Sequence, residues 1–205
     1  MRNFVLTSES FTEGHPDKLC DQISDAVIDA SLSTAPGAGC VAECAIATGV
    51  VFLSIRHGAP LGFDPAVLAR GVMSECGYPD SSRAGQTTVI LDTVETPEIA
   101  GPFDRGPLRA TRMTTAFGHA CRQTEGRMPW PVDAAHRIAA RLDAARAEDE
   151  DLAWLSPDAQ VQVAVRFEAR RPVALDAVAL TLCAEAAAPE GEALGEAMRA
   201  RILEP

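Results

Sequence analysis

The run from Gln160 to Glu168 alternates without a break. Val161, Val163, Val165 and Phe167 fall on one side, and Gln162, Ala164 and Arg166 on the other. Only an extended strand puts successive side chains on opposite faces, so this run predicts a strand with one apolar face that must be covered. A turn near Arg170–Pro172 leads into a second apolar run, Val173–Leu182, read as its neighbour. The cover is encoded on either side. Upstream, Pro131 and then Asp133 open a long helix carrying Val132, Ala135, Ile138, Leu142 and Ala145 on one face. Downstream, Gly191–Leu203 is amphipathic, with Leu194, Met198 and Ile202 inward.

The first half repeats that order of elements without repeating its sequence. Phe4–Leu6 reads as a short strand running into a polar turn over residues 7–15. From Pro16 the period becomes helical, with Leu19, Ile23, Ala26 and Ala30 in one stripe and Lys18, Asp21, Gln22, Asp25 and Asp29 polar. Pro16 suits a first helical position, where its missing N–H costs nothing. Cys40–Ala47 and Val50–Arg56, separated by Thr48-Gly49, predict a hairpin. Asp64-Pro65 supplies an N-cap and first-turn proline for a helix to about Glu75, with Leu68 and Val72 inward and Gly77 as its stop. Thr87–Leu91 reads as a further strand, and residues 94–131, rich in Pro, Gly and Arg, read mostly as loop. Helix, strand, strand, helix thus occurs twice. The fold class expected is α+β, two pseudo-repeated layers of mostly antiparallel sheet with helices on one face, divided into domains 1–105 and 106–205.

Charge and cysteine usage narrow the function classes. With 205 residues and a formal net charge of −11, the chain is not expected to bind nucleic acid or an anionic membrane, and any phosphate site must gather its cations locally. No apolar run approaches membrane-spanning length. Cys20, Cys40, Cys44, Cys76, Cys121 and Cys183 form no CxxC pair, and no secretory leader precedes Phe4, so a reduced, cytoplasmic setting is expected. Cys40 and Cys44 have no histidine at metal-ligand spacing, which argues against zinc.

The chemistry concentrates in Glu13-Gly14-His15-Pro16-Asp17-Lys18, at the start of the first helix. Free backbone N–H groups and the helix dipole favour an anion there, His15 and Lys18 can add hydrogen bonds or positive charge, and Asp17 can hold a hard cation bridging to the same phosphate. From these residues alone two readings stay open: a phosphate site, or a capped helix with a first-turn acid.

The wider context resembles a known family. Thr7-Ser8-Glu9-Ser10, Glu13 to Lys18, and Cys20-Asp21-Gln22-Ile23-Ser24-Asp25-Ala26-Val27 look like the opening of S-adenosylmethionine synthetases (methionine adenosyltransferases). Val41-Ala42-Glu43 and Thr48-Gly49 follow at that family's spacing. Met128-Pro129, Ala135-His136-Arg137, Trp154-Leu155, Pro157-Asp158-Ala159 and Gln162-Val163 resemble its middle domain. The resemblance implies joining of ATP and methionine: the sulfur attacks C5′ of the ribose, the triphosphate leaves, and it is then cleaved to diphosphate and phosphate. Such a site must neutralise a polyanionic leaving group. By carry-over His15 is expected at the triphosphate near C5′, with Lys18 beside it. Asp17 is expected to bind Mg2+, Glu43 to bind K+, Glu9 to join the metal shell, and Asp158 to contact ATP. The resemblance also implies sites at a dimer interface.

Departures from the family pattern cluster in function. The family's third domain, which carries several lysines, an arginine and an aspartate around the triphosphate, has no counterpart before Pro205. The flexible-loop aspartate has none in Arg109-Ala110-Thr111-Arg112-Met113-Thr114. The glutamate expected at the methionine ammonium is Arg56, the glutamine before Ser-Pro-Asp-Ile is Glu95, and the lysine after Asp158 is Gln160. An arginine cannot accept a hydrogen bond from an ammonium. Losing one cation from a leaving-group clamp costs about a hundredfold in rate. Three readings follow, in this order: one part of a split or heteromeric enzyme whose partner supplies the missing groups; a scaffold whose Arg56, Arg112 and Glu95 accept a different small molecule in place of methionine; or a non-catalytic subunit of a full-length homologue.

The remaining polar residues take plainer roles. His136 and Arg137 are expected as packing or surface residues, His57 and His119 in loops or at strand ends, Trp154 in the core, and Glu148–Asp151 as a solvated helix end. Arg105, Arg109, Arg112, Arg122 and Arg127 gather in the central loop, either as a mobile surface or as cover for a polyphosphate.

Overall fold

The computed structural model describes residues 3–78, 87–96, 113–184 and 188–204. Its order is β1 (Phe4–Phe11), α1 (Pro16–Thr34), β2 (Cys40–Ala47), β3 (Val50–His57), α2 (Pro65–Glu75), β4 (Thr88–Glu95), α3 (Trp130–Glu148), β5 (Leu155–Glu168), β6 (Arg171–Ala184) and α4 (Gly191–Met198). A short 3-10 turn, Glu150–Leu152, follows α3, and a π-helical turn, Arg199–Leu203, prolongs α4. The α+β class holds, and helix, strand, strand, helix is present twice, as α1-β2-β3-α2 and α3-β5-β6-α4.

Two compact units form, one from residues 1–15 with 116–205 and the other from residues 16–115. The boundary expected at residues 105–106 lies outside the described residues. In the first unit the sheet order is β1-β5-β6, all antiparallel. The predicted polar turn at residues 7–15 gives way to strand as far as Phe11, because Thr7 to Phe11 pair with Ala164 back to Gln160. A polar strand is stable there because one face stays open while Ser10, on the other, is only 5% exposed. The alternation in β5 behaves as predicted: Val161, Val163, Val165 and Phe167 are buried against Ala135, Ala139, Leu142, Met198 and Ile202. Phe4 stacks on Phe167 with ring centres 5.0 Å apart. Trp154, expected in the core, is only partly buried at its margin. The acidic segment after α3 is more than a solvated end. Arg201 pairs with Asp149 and, at 2.6 Å, with Asp151, fastening the last turn of the chain to the end of α3.

In the second unit the order is β2-β3-β4. β2 and β3 form the expected hairpin, turning through Thr48 (φ 40°) and Gly49 (φ 81°), the paired left-handed residues of a tight turn matched to strand twist. β4 joins β3 in parallel, a departure from a wholly antiparallel sheet that the intervening α2 makes possible. Val51, Leu53 and Ile55 of β3 face Leu19, Ile23 and Val27 of α1 and Ala69 and Met73 of α2. Asp64 caps α2 through Oδ1, which accepts from the Ala66 and Val67 N–H groups at 2.8 and 3.2 Å. Phe52, Ile90 and Val94 lie on the other face, 45–48% exposed.

Candidate functional site

The first unit holds the turn that precedes α1. After Phe11 the chain leaves the sheet and folds back, with the His15 N–H donating to the Thr12 carbonyl at 3.1 Å. Thr12, 2% exposed, anchors this turn to the start of β5. Its N–H donates to the Ala159 carbonyl at 3.0 Å. Its hydroxyl donates to the Pro157 carbonyl at 2.6 Å, with the Ala159 carbonyl at 3.1 Å, and accepts from the Ala159 N–H at 2.7 Å. From the other side Asp143 of α3 accepts from the Glu13 N–H at 3.1 Å. The His15 ring packs on Phe11, 4.0 Å between centres and tilted by 34°. The turn is therefore held at both flanks, by Thr12 on the main chain of Pro157 and Ala159 and by the Asp143 carboxylate on the Glu13 N–H, and the imidazole has an aromatic floor.

Asp158 sits inside the segment that Thr12 brackets, half-buried. The Cys183 thiol of β6 donates to its Oδ2 at 3.7 Å. Burial first, and then this carboxylate, push the Cys183 pKa upward, so the thiol stays protonated beside Asp158. Gln160 points its amide at Glu9, Nε2 to Oε2 at 2.9 Å, and β-pairing sets Gln160 opposite Phe11. A neutral amide satisfies Glu9 without cancelling its charge. Glu9, His15 and Asp158, expected from sequence to share a site, thus belong to one unit with Phe11, Gln160 and Cys183 around them.

In the second unit Asp17 and Lys18 occupy the first turn of α1, Asp17 exposed and Lys18 half-buried, with Leu19 the first core residue after them. An acid in that turn is favoured by the helix dipole. Glu43 pairs with Ser54, and Ser54 with Asp92, whose Oδ2 accepts from the Ser54 hydroxyl at 3.2 Å. These three lie on the sheet face opposite Val51, Leu53 and Ile55, away from α1, so Glu43 is not brought to Asp17 and Lys18 within this unit. Arg56 shares the face of Glu43. Glu95 pairs with His57 and takes the other face, so the two divergent positions do not line one wall.

Among the described residues no three His, Cys, Asp or Glu side chains gather as a cage for a metal ion. Magnesium is commonly held by one or two carboxylates with substrate phosphates and water completing the shell, and a single exposed Asp17 fits that pattern. Cys20 of α1 and Cys44 of β2 face one another: burial, and then the neighbouring Cys20 thiol, raise Cys44 from 9.0 to about 12. His136 is exposed, as expected, yet its Nδ1 meets the buried Ser10 hydroxyl at 2.8 Å. His57 ends β3, and His119, Arg122 and Arg127 are described in irregular, mostly exposed chain. Arg105, Arg109 and Arg112 lie outside the described residues. Sequence reasoning missed Thr12, Phe11 and Cys183. Thr12 reaches partners about 145 positions away, and its only signal was its place beside Glu13-Gly14-His15.

An α+β protein built from two related layers, with an imidazole and a helix N-terminus at the end of one strand, is the class that fold and site define. Residues 3–96 match the S-adenosylmethionine synthetase N-terminal domain, and residues 108–205 match that family's central domain. The chain is 37% identical over 198 residues to an S-adenosylmethionine synthase of Prochlorococcus marinus (strain MIT 9211), covering 88% of this chain and 47% of that protein. It is 37% identical over 196 residues to one from Synechococcus sp. (strain RCC307), covering 88% and 48%. It is 38% identical over 184 residues to S-adenosylmethionine synthase 1 of Rhodospirillum rubrum, covering 87% and 48%. The chain belongs to the S-adenosylmethionine synthetase family. It spans about half the length of the curated relatives it matches.

Proposed function

We propose that this chain forms the nucleotide-gripping part of a methionine adenosyltransferase, the remaining groups coming from further polypeptide, in the same chain or another. The observation that carries the reading is the His15 turn, fixed to Pro157-Asp158-Ala159 by Thr12 and packed on Phe11. A polyphosphate needs donors aimed before it arrives, and a turn held at both flanks keeps them aimed. In this reading a sulfur–C5′ bond forms as the C5′–oxygen bond breaks. The electron pair departs with the triphosphate, which water then cleaves to diphosphate and phosphate.

His15 donates to the triphosphate oxygen nearest C5′, and Lys18 adds positive charge beside it. Asp158 contacts ATP; Asp17 would hold Mg2+, with Glu9 joining the metal shell, and Glu43 would hold K+. Bound cations supply charge neutralisation of the leaving group. With a neutral Gln160 bonded to Glu9, the His15 turn grips the polyphosphate with fewer positive charges than a lysine at that position would give. The missing positive charge must come from outside these two domains, in keeping with a chain that spans 47% of a curated relative. The exposed Phe52, Ile90 and Val94 give the second unit a face suited to an oligomer, homomeric or heteromeric. The cell compartment proposed is the cytoplasm.

A second reading, favoured by Arg56 on the open face beside Val41 and Val94, is a transferase acting on an acceptor with a carboxylate where methionine presents its ammonium. The test is to incubate the purified chain with ATP, magnesium, potassium and methionine, alone and mixed with a polypeptide carrying the family's remaining domain. S-adenosylmethionine and triphosphate cleavage products are quantified by mass spectrometry. Product in the mixture, dependent on His15, supports the enzyme reading. Neither product nor ATP consumption in any mixture contradicts it and leaves the non-catalytic subunit.

A further inference from the structure

We infer that Thr12 is a positioning residue of the nucleotide site, its hydroxyl clamping the Pro157–Ala159 segment so that Asp158 is presented beside the His15 turn; this rests on the Mg-ATP reading above. The hydroxyl is used at both lone pair and proton. It accepts from the Ala159 N–H at 2.7 Å and donates to the Pro157 carbonyl at 2.6 Å, the two peptide groups that flank Asp158. With the Thr12 N–H on the Ala159 carbonyl at 3.0 Å, three main-chain groups around one aspartate answer to one threonine.

The clamp itself is buried, with Thr12 2% exposed and Ala159 2% exposed. Bonds of this kind resist exchange for water, and removing one partner leaves the others buried and unpaired. Gly14 brings the turn against the same segment from the other end, its backbone against Pro157. Neither Pro157 nor Ala159 offers a side chain that could hydrogen-bond. On the β1 side, where regular pairing starts at Phe11 and Gln160, their placement depends on Thr12; on the β6 side Ala159 pairs with Leu182, and the register is irregular from there back to Leu155. The Asp158 carboxylate meets β6 through the long contact from the Cys183 thiol at 3.7 Å. A threonine that touches no ligand thereby sets where a ligand-facing carboxylate stands.

The experiment compares Mg-ATP binding by calorimetry in wild type, Thr12→Val and Thr12→Ser, with circular dichroism to establish folding. Thr12→Val keeps shape and loses the hydroxyl, and is expected to weaken Mg-ATP by roughly tenfold or more, while Thr12→Ser restores binding to within about threefold of wild type. Loss in both variants would mark a packing role and overturn the assignment, as would equal binding by Thr12→Val. Wild type that binds no Mg-ATP sinks the site reading and the positioning role together; wild type that binds, with Thr12→Val unchanged, sinks the positioning role alone. Amide exchange on wild type decides the matter without a variant, should Thr12→Val not fold. The Ala159 N–H is expected to be protected before nucleotide is added. An amide that exchanges freely until Mg-ATP arrives shows the clamp to be made by the ligand, and overturns the proposal.

Discussion

Gly14 lies so close to Pro157 that a β-carbon built on it would stand 2.3 Å from the proline Cβ and 2.8 Å from its backbone. The glycine is required by packing, because the turn that carries His15 approaches main chain that cannot move aside. Gly14→Ala is expected to destabilise the first unit by about 1–3 kcal/mol through overpacking. Thermal denaturation checks the cost. Mg-ATP affinity should fall with it, because the same displacement moves the turn off Asp158.

The β5–β6 connection carries the opposite signature. Ala169 (φ 50°) and Arg170 (φ 68°) both adopt the left-handed region with side chains that resist it. Arg170→Gly relieves that strain and should stabilise the first unit by about 1 kcal/mol, whereas Arg170→Ala should change little. Urea unfolding of both variants makes the comparison.

Gln160 donates to Glu9 where the resembled family has lysine. Gln160→Lys adds a cation beside Glu9 and near the His15 turn. We expect Mg-ATP to bind several-fold more tightly, roughly three- to tenfold, with a steeper dependence on salt. Titrations at two ionic strengths measure both. Weaker binding would place the polyphosphate elsewhere.

The Cys44 thiol gives the second unit an alkaline weakness. Burial, with Cys20 beside it, raises Cys44 from 9.0 to about 12, so above the lower value the unfolded chain releases a proton that the folded chain retains. The stabilisation is complete below the unfolded pKa and is lost as pH rises through the folded one. In reducing buffer the melting temperature of wild type should fall more steeply between about pH 9 and pH 11 than that of Cys44→Ala. Parallel curves would mean that Cys44 is more open to water than its packing against α1 implies.

Much of the architecture could be read from the residues, because alternation and helical period report directly on which side is covered. Val161 to Phe167, Asp64-Pro65 and Thr48-Gly49 each specify a local geometry that the fold keeps. What could not be read was long-range pairing. Nothing in Thr7-Ser8-Glu9-Ser10 says that it pairs with residues 161–164, since a polar strand carries little periodic signal and its partner lies some 150 positions on. The parallel placement of β4 was hidden for the same reason. In the site, the Gly14-His15-Pro16 turn announced itself through its motif. Thr12 and Cys183 did not, because their roles arise from contacts with Pro157, Asp158 and Ala159 that only the folded sheet creates.

The central claim is that the turn at the head of α1 grips a metal-loaded polyphosphate, and titration calorimetry of ATP into the chain with magnesium tests it most directly. Saturable binding that needs magnesium, survives the surface control Arg70→Ala and drops at least tenfold in Asp17→Asn is the predicted result. Binding that is equal in Asp17→Asn, or no heat of binding in wild type either alone or with the remaining family domain present, would contradict the account.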